Sequence, residues 1–157
     1  MTLTISAAAE TYPIAGKFII SRGSKTEAHV VVETVTDGLH SGRGECVPYA
    51  RYGETVESVL EQLIACSGAI ALNPSRAFLL ALMPPGAARN ALDCALWDFE
   101  AKSGGTSVEK MLCGSNALPL TTAYTLSLGT ADEMAAAARE ASHRPLLKIK
   151  VGGEGDI

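Results

Sequence analysis

The segment after Pro119 limits the possible fold more strongly than any other part of the chain. Leu120 to Leu128 and Leu146 to Val151 have the composition of strands, and Ala131 to Ser142 between them is an Ala-rich helical stretch. Two neighbouring strands that are connected through a helix run parallel in one sheet. The pattern therefore predicts a βαβ unit and the beginning of an α/β domain.

The residues before this unit predict an antiparallel sheet of three strands. Asp37-Gly38 is a hairpin signal followed by a returning strand. The β-rich stretches are Leu3 to Thr11, Phe18 to Ser21, Ala28 to Thr36 and Leu39 to Cys46.

Helical periodicity replaces the strand pattern from Val56 onward. Asn73-Pro74 is typical of a helix start and predicts a second helix through Met83. Ser107 predicts the cap of a short helix ending at Gly114. The third helix has an apolar stripe at the spacing of one helix face: Ala88, Ala91, Leu92, Ala95, Leu96 and Phe99.

The predicted fold class is an α+β domain over residues 1–117, followed over residues 118–157 by the first two strands and first helix of an α/β domain. The net charge of −4 argues against nucleic acid or an anionic membrane as the main partner. No apolar run approaches the ~20 residues of a membrane span, and the N-terminus lacks a secretory signal pattern.

The four cysteines form no CxxC pair and no zinc pattern. Cys66 and Cys94 fall on apolar faces of predicted helices, so we expect both thiols to be buried. Free thiols of this kind suggest a reducing, cytoplasmic location.

The clearest candidates for chemistry are Lys148 and Lys150 in the run LKIKVG. Side chains two apart on a strand share a face, while Ile149 points to the other side. Two ammonium groups that are close and partly desolvated lower each other's pKa, which suits one of them to act as a general base. The pattern by itself favours a different explanation, a solvated edge strand that carries two lysines.

The preceding strand alternates small polar and apolar residues, as does a barrel strand whose interior meets a ligand. Thr125 and Ser127 lie towards the C-terminal end of that strand, where barrel enzymes carry their active sites. Thr125 fits a substrate contact and a packing residue equally well. Ser127 fits a packing residue better.

Two loops of the first domain are candidate binding segments. Arg22-Gly23-Ser24-Lys25 is cationic and suited to a carboxylate, although an ordinary basic turn is the more common meaning of such a sequence. The segment VPYARYG, residues 47–53, is aromatic and basic, and Tyr52 is a candidate substrate contact within it.

Several motifs together resemble the enolase superfamily, in its muconate-lactonising subgroup. Asn90 to Asp98 (NALDCALWD), with Ala101-Lys102 and Met111 to Gly114 (MLCG), resembles the end of the superfamily's capping domain. LKIKVG resembles the KxK motif of its second barrel strand. Thr122 to Ser127 resembles the first barrel strand of the L-Ala-D/L-Glu dipeptide epimerases, and residues 22–28 and 45–54 resemble their two capping loops.

This resemblance implies a capping domain followed by an incomplete TIM-like (β/α) barrel, and an isomerase that moves the proton α to a carboxylate. It implies Lys150 as one acid/base, Lys148 as a contact of the substrate carboxylate, and Thr125 as a substrate ligand. Arg22 and Lys25 would meet the distal carboxylate of a glutamate-like residue. A Mg²⁺ ion would stabilise the enediolate.

The chain departs from the family in length. The three acidic metal ligands and the opposing lysine of the family lie on later barrel strands, so we expect no metal ligand here and an inactive polypeptide without the remaining barrel half. That half would be a continuation or a second chain, and we also expect a homo-oligomer. The substrate would be a dipeptide or, alternatively, an N-acyl amino acid such as N-acylglutamate. A non-catalytic assembly fragment is the alternative from another class.

Overall fold

A three-stranded sheet opens the chain in the computed structural model, which describes residues 3–20, 23–115 and 117–152. Its strands are β1 (Thr4–Ile20), β2 (Gly23–Thr36) and β3 (Ser41–Cys46), in the order β1-β2-β3. Strands β2 and β3 are antiparallel, and their register runs from Val31 opposite Cys46 to Thr36 opposite Ser41. The predicted three-stranded sheet is thereby confirmed.

Two predicted strand boundaries in this sheet are wrong. Leu3 to Thr11 and Phe18 to Ser21 were separate predictions, but β1 runs through both without a break, and β2 begins at Gly23 rather than at Ala28. The side chains of residues 11–13, 15–17 and 23–27 are exposed. These exposed residues form no alternating apolar face, so the sequence pattern does not indicate a strand there.

The hairpin between β2 and β3 turns where the sequence predicts. Gly38 has a φ of 90° in the turn. The Asp37 carboxylate accepts hydrogen bonds from the backbone N–H groups of Leu39 (2.8 Å) and His40 (2.7 Å). These bonds hold the pKa of the Asp37 carboxyl below its usual range.

Four helices follow the sheet: α1 (Val56–Leu72), α2 (Arg76–Leu82), α3 (Ala87–Ser103) and α4 (Val108–Cys113). The hydroxyl of Ser107 caps α4 and the chain leaves this helix through Gly114, as predicted. The predicted cap of α2 is wrong, because Asn73 still donates its N–H to Ala69 at the end of α1. Ser75 caps α2 instead, accepting the N–H of Phe78 at 3.1 Å.

The core lies between the sheet and helices α1 to α3. The predicted stripe of α3 is confirmed, since Ala91, Leu92, Ala95 and Leu96 are completely buried. Cys66 is buried as expected and lies 3.4 Å from the sulfur of Met83. Cys94 is exposed, contrary to the prediction, because the buried face of α3 runs through Leu92 and Ala95 rather than through residue 94.

Strand β3 packs against α3 at unusually short range. A Cβ on Gly42 would lie 2.2 Å from the carbonyl oxygen of Ala95, and one on Gly44 would lie 1.9 Å from that of Ala91. Only glycine allows the strand backbone to rest directly on the helix backbone.

Helix α3 also satisfies backbone groups of β3, which is the last strand in the sheet order. The Asp98 carboxylate accepts the Arg43 N–H at 2.8 Å, and Asn90 donates its side-chain amide to the Glu45 carbonyl at 3.3 Å. Burial opposes ionisation of Asp98, but its bonds from Lys102 and Arg43 lower its pKa overall. The edge strand is thus covered rather than left to pair with another chain.

Helix α2 is held to α3 by a charged side chain. The Arg76 guanidinium lies 3.4 Å from the centre of the Trp97 ring and pairs with the Glu100 carboxylate. An arginine over an indole face adds a cation–π attraction to the ion pair.

Glu33 is a buried acid in the middle of β2. Its side chain shares the core-facing side of the strand with Val31 and Val35, and its exposed fraction is 0%. Neither carboxyl oxygen has a hydrogen-bond partner among the described residues. Burial raises the pKa of Glu33 to about 8, so the folded chain holds this group as a neutral acid at neutral pH.

The last part of the chain forms the predicted βαβ unit. It consists of β4 (Tyr124–Leu126), α5 (Ala131–Glu140), a short 3₁₀ turn (Ala141–His143) and β5 (Leu147–Ile149). The strands are parallel, as expected, but each has three residues instead of the predicted nine and six. A parallel ladder extends only where both strands lie side by side. Each strand therefore ends where its partner ends.

The chain divides into two compact units. One contains Met1–Thr11 and His29–Ala117, and the other contains Tyr12–Ala28 and Leu118–Ile157. The far end of the β1–β2 hairpin therefore clusters with the βαβ unit, whereas the sequence analysis placed residues 1–117 in one domain. No described helix is long and apolar enough to cross a lipid bilayer.

The glycine contact predicts a steep stability effect. Gly44→Ala forces β3 and α3 apart, and we expect it to lower the free energy of unfolding by about 3 kcal/mol or more. Gly68→Ala is the matched control, because Gly68 is exposed in α1 with nothing within 4 Å of an added Cβ. Gly68→Ala should raise the free energy of unfolding by about 0.5–1 kcal/mol. Urea unfolding of both variants measures this, and equal effects would contradict the packing argument.

Glu33 predicts a pH-dependent stability. The folded chain keeps a proton up to a pKa of about 8, while the ordinary value is 4.5. The free energy of unfolding should therefore fall as the pH rises from about 4.5 to about 8 and level off above, by up to about 5 kcal/mol. Glu33→Gln removes this slope, and Glu61→Gln, at an exposed position, keeps it. Urea unfolding midpoints at about pH 5 and about pH 9 test this. The same change of the midpoint with pH in all three proteins would refute it.

Candidate active site

Strands β4 and β5 bring two predicted site residues to one face, and a third directly follows β5. Thr125 and Lys148 are direct partners in the parallel register. Lys150 follows Lys148 by two residues and lies directly after the end of β5 at Ile149. Thr125 and Lys150 are half-buried, and Lys148 is exposed. The desolvation assumed for the lysine pair is therefore absent at Lys148 in this chain.

The opposite face of β4 packs on the helix. Leu126 is buried, and it lines a cleft of about 280 Å³ together with Tyr124, Ala137 and Ala141. The guanidinium of Arg144 lies 5.2 Å from the centre of the Tyr124 ring. Apolar and aromatic groups thus turn towards α5, which leaves the threonine and lysines on the other side, as the alternation predicts.

Ser127 is bound to the β1 strand rather than simply filling space. Its hydroxyl donates to the Lys17 carbonyl at 3.0 Å and accepts the Ile19 N–H at 3.5 Å. The N–H of Leu128 donates to the Ile19 carbonyl at 3.0 Å. The sequence predicts a packing residue here rather than a substrate contact, and these bonds, between residues more than a hundred positions apart, were not part of that prediction.

The two cationic candidates are Arg22 and Lys25. Lys25 is an exposed residue within β2, not in a loop as predicted, because β2 begins at Gly23. Arg22 lies outside the described residues.

Tyr52 belongs to the other unit and ends the 3₁₀ turn Ala50–Tyr52. It is 75% exposed, its ring centre lies 6.1 Å from that of Tyr49, and Gly53 after it has a φ of 75°. Both tyrosines border a cleft of about 510 Å³. The other lining residues are Cys46, Val47, Glu54, Pro85, Gly86, Ala87 and Asn90.

Glu54 fixes this loop, a role that the sequence reasoning missed. One carboxylate oxygen accepts the Tyr49 N–H at 3.0 Å and the other accepts the Ala87 N–H at 2.6 Å. Ala87 is the first residue of α3, whose cap Gly86 has no side chain to offer. Glu54 therefore replaces the helix cap and holds the loop against the helix start. The sequence feature that could have indicated this role is an acidic residue directly before Thr55, the cap of α1.

No group of three or more His, Cys, Asp or Glu side chains that would hold a metal ion occurs within residues 3–20, 23–115 and 117–152. The residues that the structure describes therefore do not fit the Mg²⁺ that the resemblance implies.

A search against family models matches residues 2–113 to the mandelate racemase / muconate lactonizing enzyme N-terminal domain. Among curated proteins, the chain is 38% identical over 150 residues to the L-Ala-D/L-Glu epimerase of Escherichia coli K12, covering 94% of this chain and 47% of that protein. It is 35% identical over 124 residues to the N-acetyl-D-glutamate racemase of a Pseudoalteromonas species, covering 78% and 39%.

A solved structure is also closely similar. It is an enolase family member from Agrobacterium tumefaciens with homology to dipeptide epimerases, described with bound sodium and L-Ala-L-Glu. The identity is 47% and the TM-score 0.93, over 98% of this chain and 48% of that one. The chain thus spans about half the length, or less, of the relatives that it matches.

Glu54 supplies the prediction for this site. Glu54→Ala removes two charge-assisted acceptors, and we expect a loss of about 1–3 kcal/mol in the free energy of unfolding. Amide exchange at Tyr49 and Ala87 should quicken, since both N–H groups lose their acceptor. Glu61→Ala, on the exposed face of α1, serves as the control. Unchanged exchange at both amides in Glu54→Ala would show that the carboxylate does not hold the loop.

Proposed function

This chain belongs to the mandelate racemase / muconate lactonizing enzyme family through its N-terminal domain, and we propose from that premise that the complete protein is a dipeptide epimerase of the L-Ala-D/L-Glu type. The observation that carries the proposal is the pairing of Thr125 with Lys148 on the parallel strands β4 and β5, with Lys150 directly after the end of β5. Its sequence support is the 38% identity to an L-Ala-D/L-Glu epimerase.

In the proposed reaction, Lys150 removes the proton α to the substrate carboxylate. The neutral Nζ takes the proton, and the electron pair of the broken C–H bond moves into the carboxylate. Lys148, on the same face, binds that carboxylate through its ammonium and opposes the growing negative charge. Thr125, beside Lys148 in the register, orients the substrate through its hydroxyl. Return of a proton on the opposite face requires a second acid outside this chain.

A Mg²⁺ ion belongs to this proposal only for the complete protein. Its ligands would come from residues outside this chain, because the described residues contain no suitable cluster. When bound, the ion would supply electrostatic stabilisation of the electron-rich carboxylate. The roles of the residues named here do not depend on its position.

An acidic substrate fits the charges of the hairpin. Arg22 in the sequence and Lys25 on β2 are cationic, and a carboxylate side chain is the partner that they would bind. Tyr52 is proposed as a further contact of the substrate.

The second candidate function, an N-acylglutamate racemase, is supported by the 35% identity to an N-acetyl-D-glutamate racemase. Rates on L-Ala-L-Glu and on N-acetylglutamate, measured with one preparation of the complete protein, distinguish the two.

The alternative of a non-catalytic assembly fragment makes a different physical prediction. Under it, the chain forms a stable oligomer by itself, whereas an enzyme needs the remaining barrel half, in the same chain or as a second one. Intact mass and size-exclusion chromatography of the natural protein separate these possibilities. A homo-oligomer of the complete protein and a cytoplasmic location are parts of the proposal.

Isotope exchange tests the base. Lys150→Ala should lower the rate of deuterium incorporation at the α-carbon of one epimer by about 10²- to 10⁴-fold. The rate of exchange from the other epimer should stay unchanged. The control is Lys110→Ala, an exposed lysine of α4, which should behave as the unaltered protein. The 157-residue chain alone, in the same assay, should show no epimerisation. Exchange from both epimers in Lys150→Ala would remove Lys150 from the mechanism.

A further inference from the structure

The hairpin formed by residues 12–20 and 23–28, called here the capping hairpin, clusters with the βαβ unit. Most of its described side chains are exposed, so apolar burial contributes little to holding it. The capping hairpin is hydrogen-bonded to the chain just past the end of β4. Three hydrogen bonds meet there, and two of them use the hydroxyl of Ser127.

The Ser127 hydroxyl acts as a donor and an acceptor at once. It donates to the carbonyl of Lys17 and accepts the N–H of Ile19, two residues further along β1. The N–H of Leu128 completes the set by donating to the Ile19 carbonyl. In a strand, the backbone groups of residues two apart point to the same side. The serine hydroxyl therefore makes the hydrogen bonds to β1 that backbone groups make between paired strands.

The position of this serine gives the contact its consequence. Thr125, the proposed substrate ligand, lies two residues before Ser127, and β4 ends at Leu126, shortly before the α5 cap Thr130. The capping hairpin carries Lys25. One hydroxyl thus joins the segment proposed to bind the distal carboxylate to the strand proposed to bind the reacting end.

We infer that Ser127 is a positioning residue, which fastens the capping hairpin to the first barrel strand and so sets where the hairpin meets the substrate. Ser127 touches no reacting atom in this arrangement. The consequence for substrate rests on the proposed function, while the fastening itself does not.

The test uses the complete protein with Ser127→Ala, Ser127→Thr and Ser142→Ala. Ser142 is an exposed serine in the 3₁₀ turn of the same unit and is the matched control. In Ser127→Ala, amide exchange at Ile19 and Leu128 should rise about 2- to 10-fold, the effect expected from losing one or two hydrogen bonds. KM for L-Ala-L-Glu should rise by a similar factor, with kcat within about twofold of the unaltered protein.

Ser127→Thr keeps the hydroxyl and should restore both values, and Ser142→Ala should change neither. Unchanged exchange in Ser127→Ala would overturn the fastening. Faster exchange with an unchanged KM would overturn the link to substrate. A fall in kcat alone would also overturn it, because it would place Ser127 in the chemical step. If the unaltered protein epimerises no dipeptide, the proposed function fails, and the exchange data still decide whether Ser127 holds the hairpin.

Discussion

The close approach of β3 to α3 is the contact on which the first unit depends. Gly42 and Gly44 let the strand backbone lie against the carbonyl groups of Ala91 and Ala95, closer than any side chain would permit. At that distance Asp98 and Asn90 reach the edge of β3 and satisfy its backbone groups. The same helix begins at Ala87, where Glu54 holds the loop that carries Tyr52. One helix thereby closes the sheet, completes the core and positions a candidate binding loop.

The second unit is organised by pairing rather than by burial. Its strands share three register positions, and Leu126 is the buried residue of β4. Thr125 and Lys148 are adjacent because the strands are parallel and in this register, not because they pack on each other. The capping hairpin is held to the same unit by bonds at Ser127, Leu128, Lys17 and Ile19. Such a unit presents polar groups at its strand ends while most of its hairpin surface stays exposed.

Sequence patterns gave correct predictions where periodic burial determines structure. The stripe of α3 and the parallel βαβ unit followed from spacing alone, because a helix or strand buries one face at a fixed period. Prediction failed where something else decides. The long hairpin is held by pairing of exposed residues, α2 is capped by Ser75 instead of Asn73, and Cys94 lies just off the buried face of its helix. Glu33 lies at a core position of the strand alternation, but a glutamate in the sequence does not predict a buried acid.

The sequence by itself determined which residue types occupy each face: the threonine and lysines on one side of two parallel strands, and the apolar stripe on α3. Local chemistry is enough for this, since side-chain direction follows the period of the element. Only the tertiary structure decided which distant groups meet. The bonds of Ser127 to β1, of Glu54 to α3 and of Asp98 to β3 join residues that are 33 to 110 positions apart. Such contacts depend on how elements pack, and no periodic signal in the chain records them.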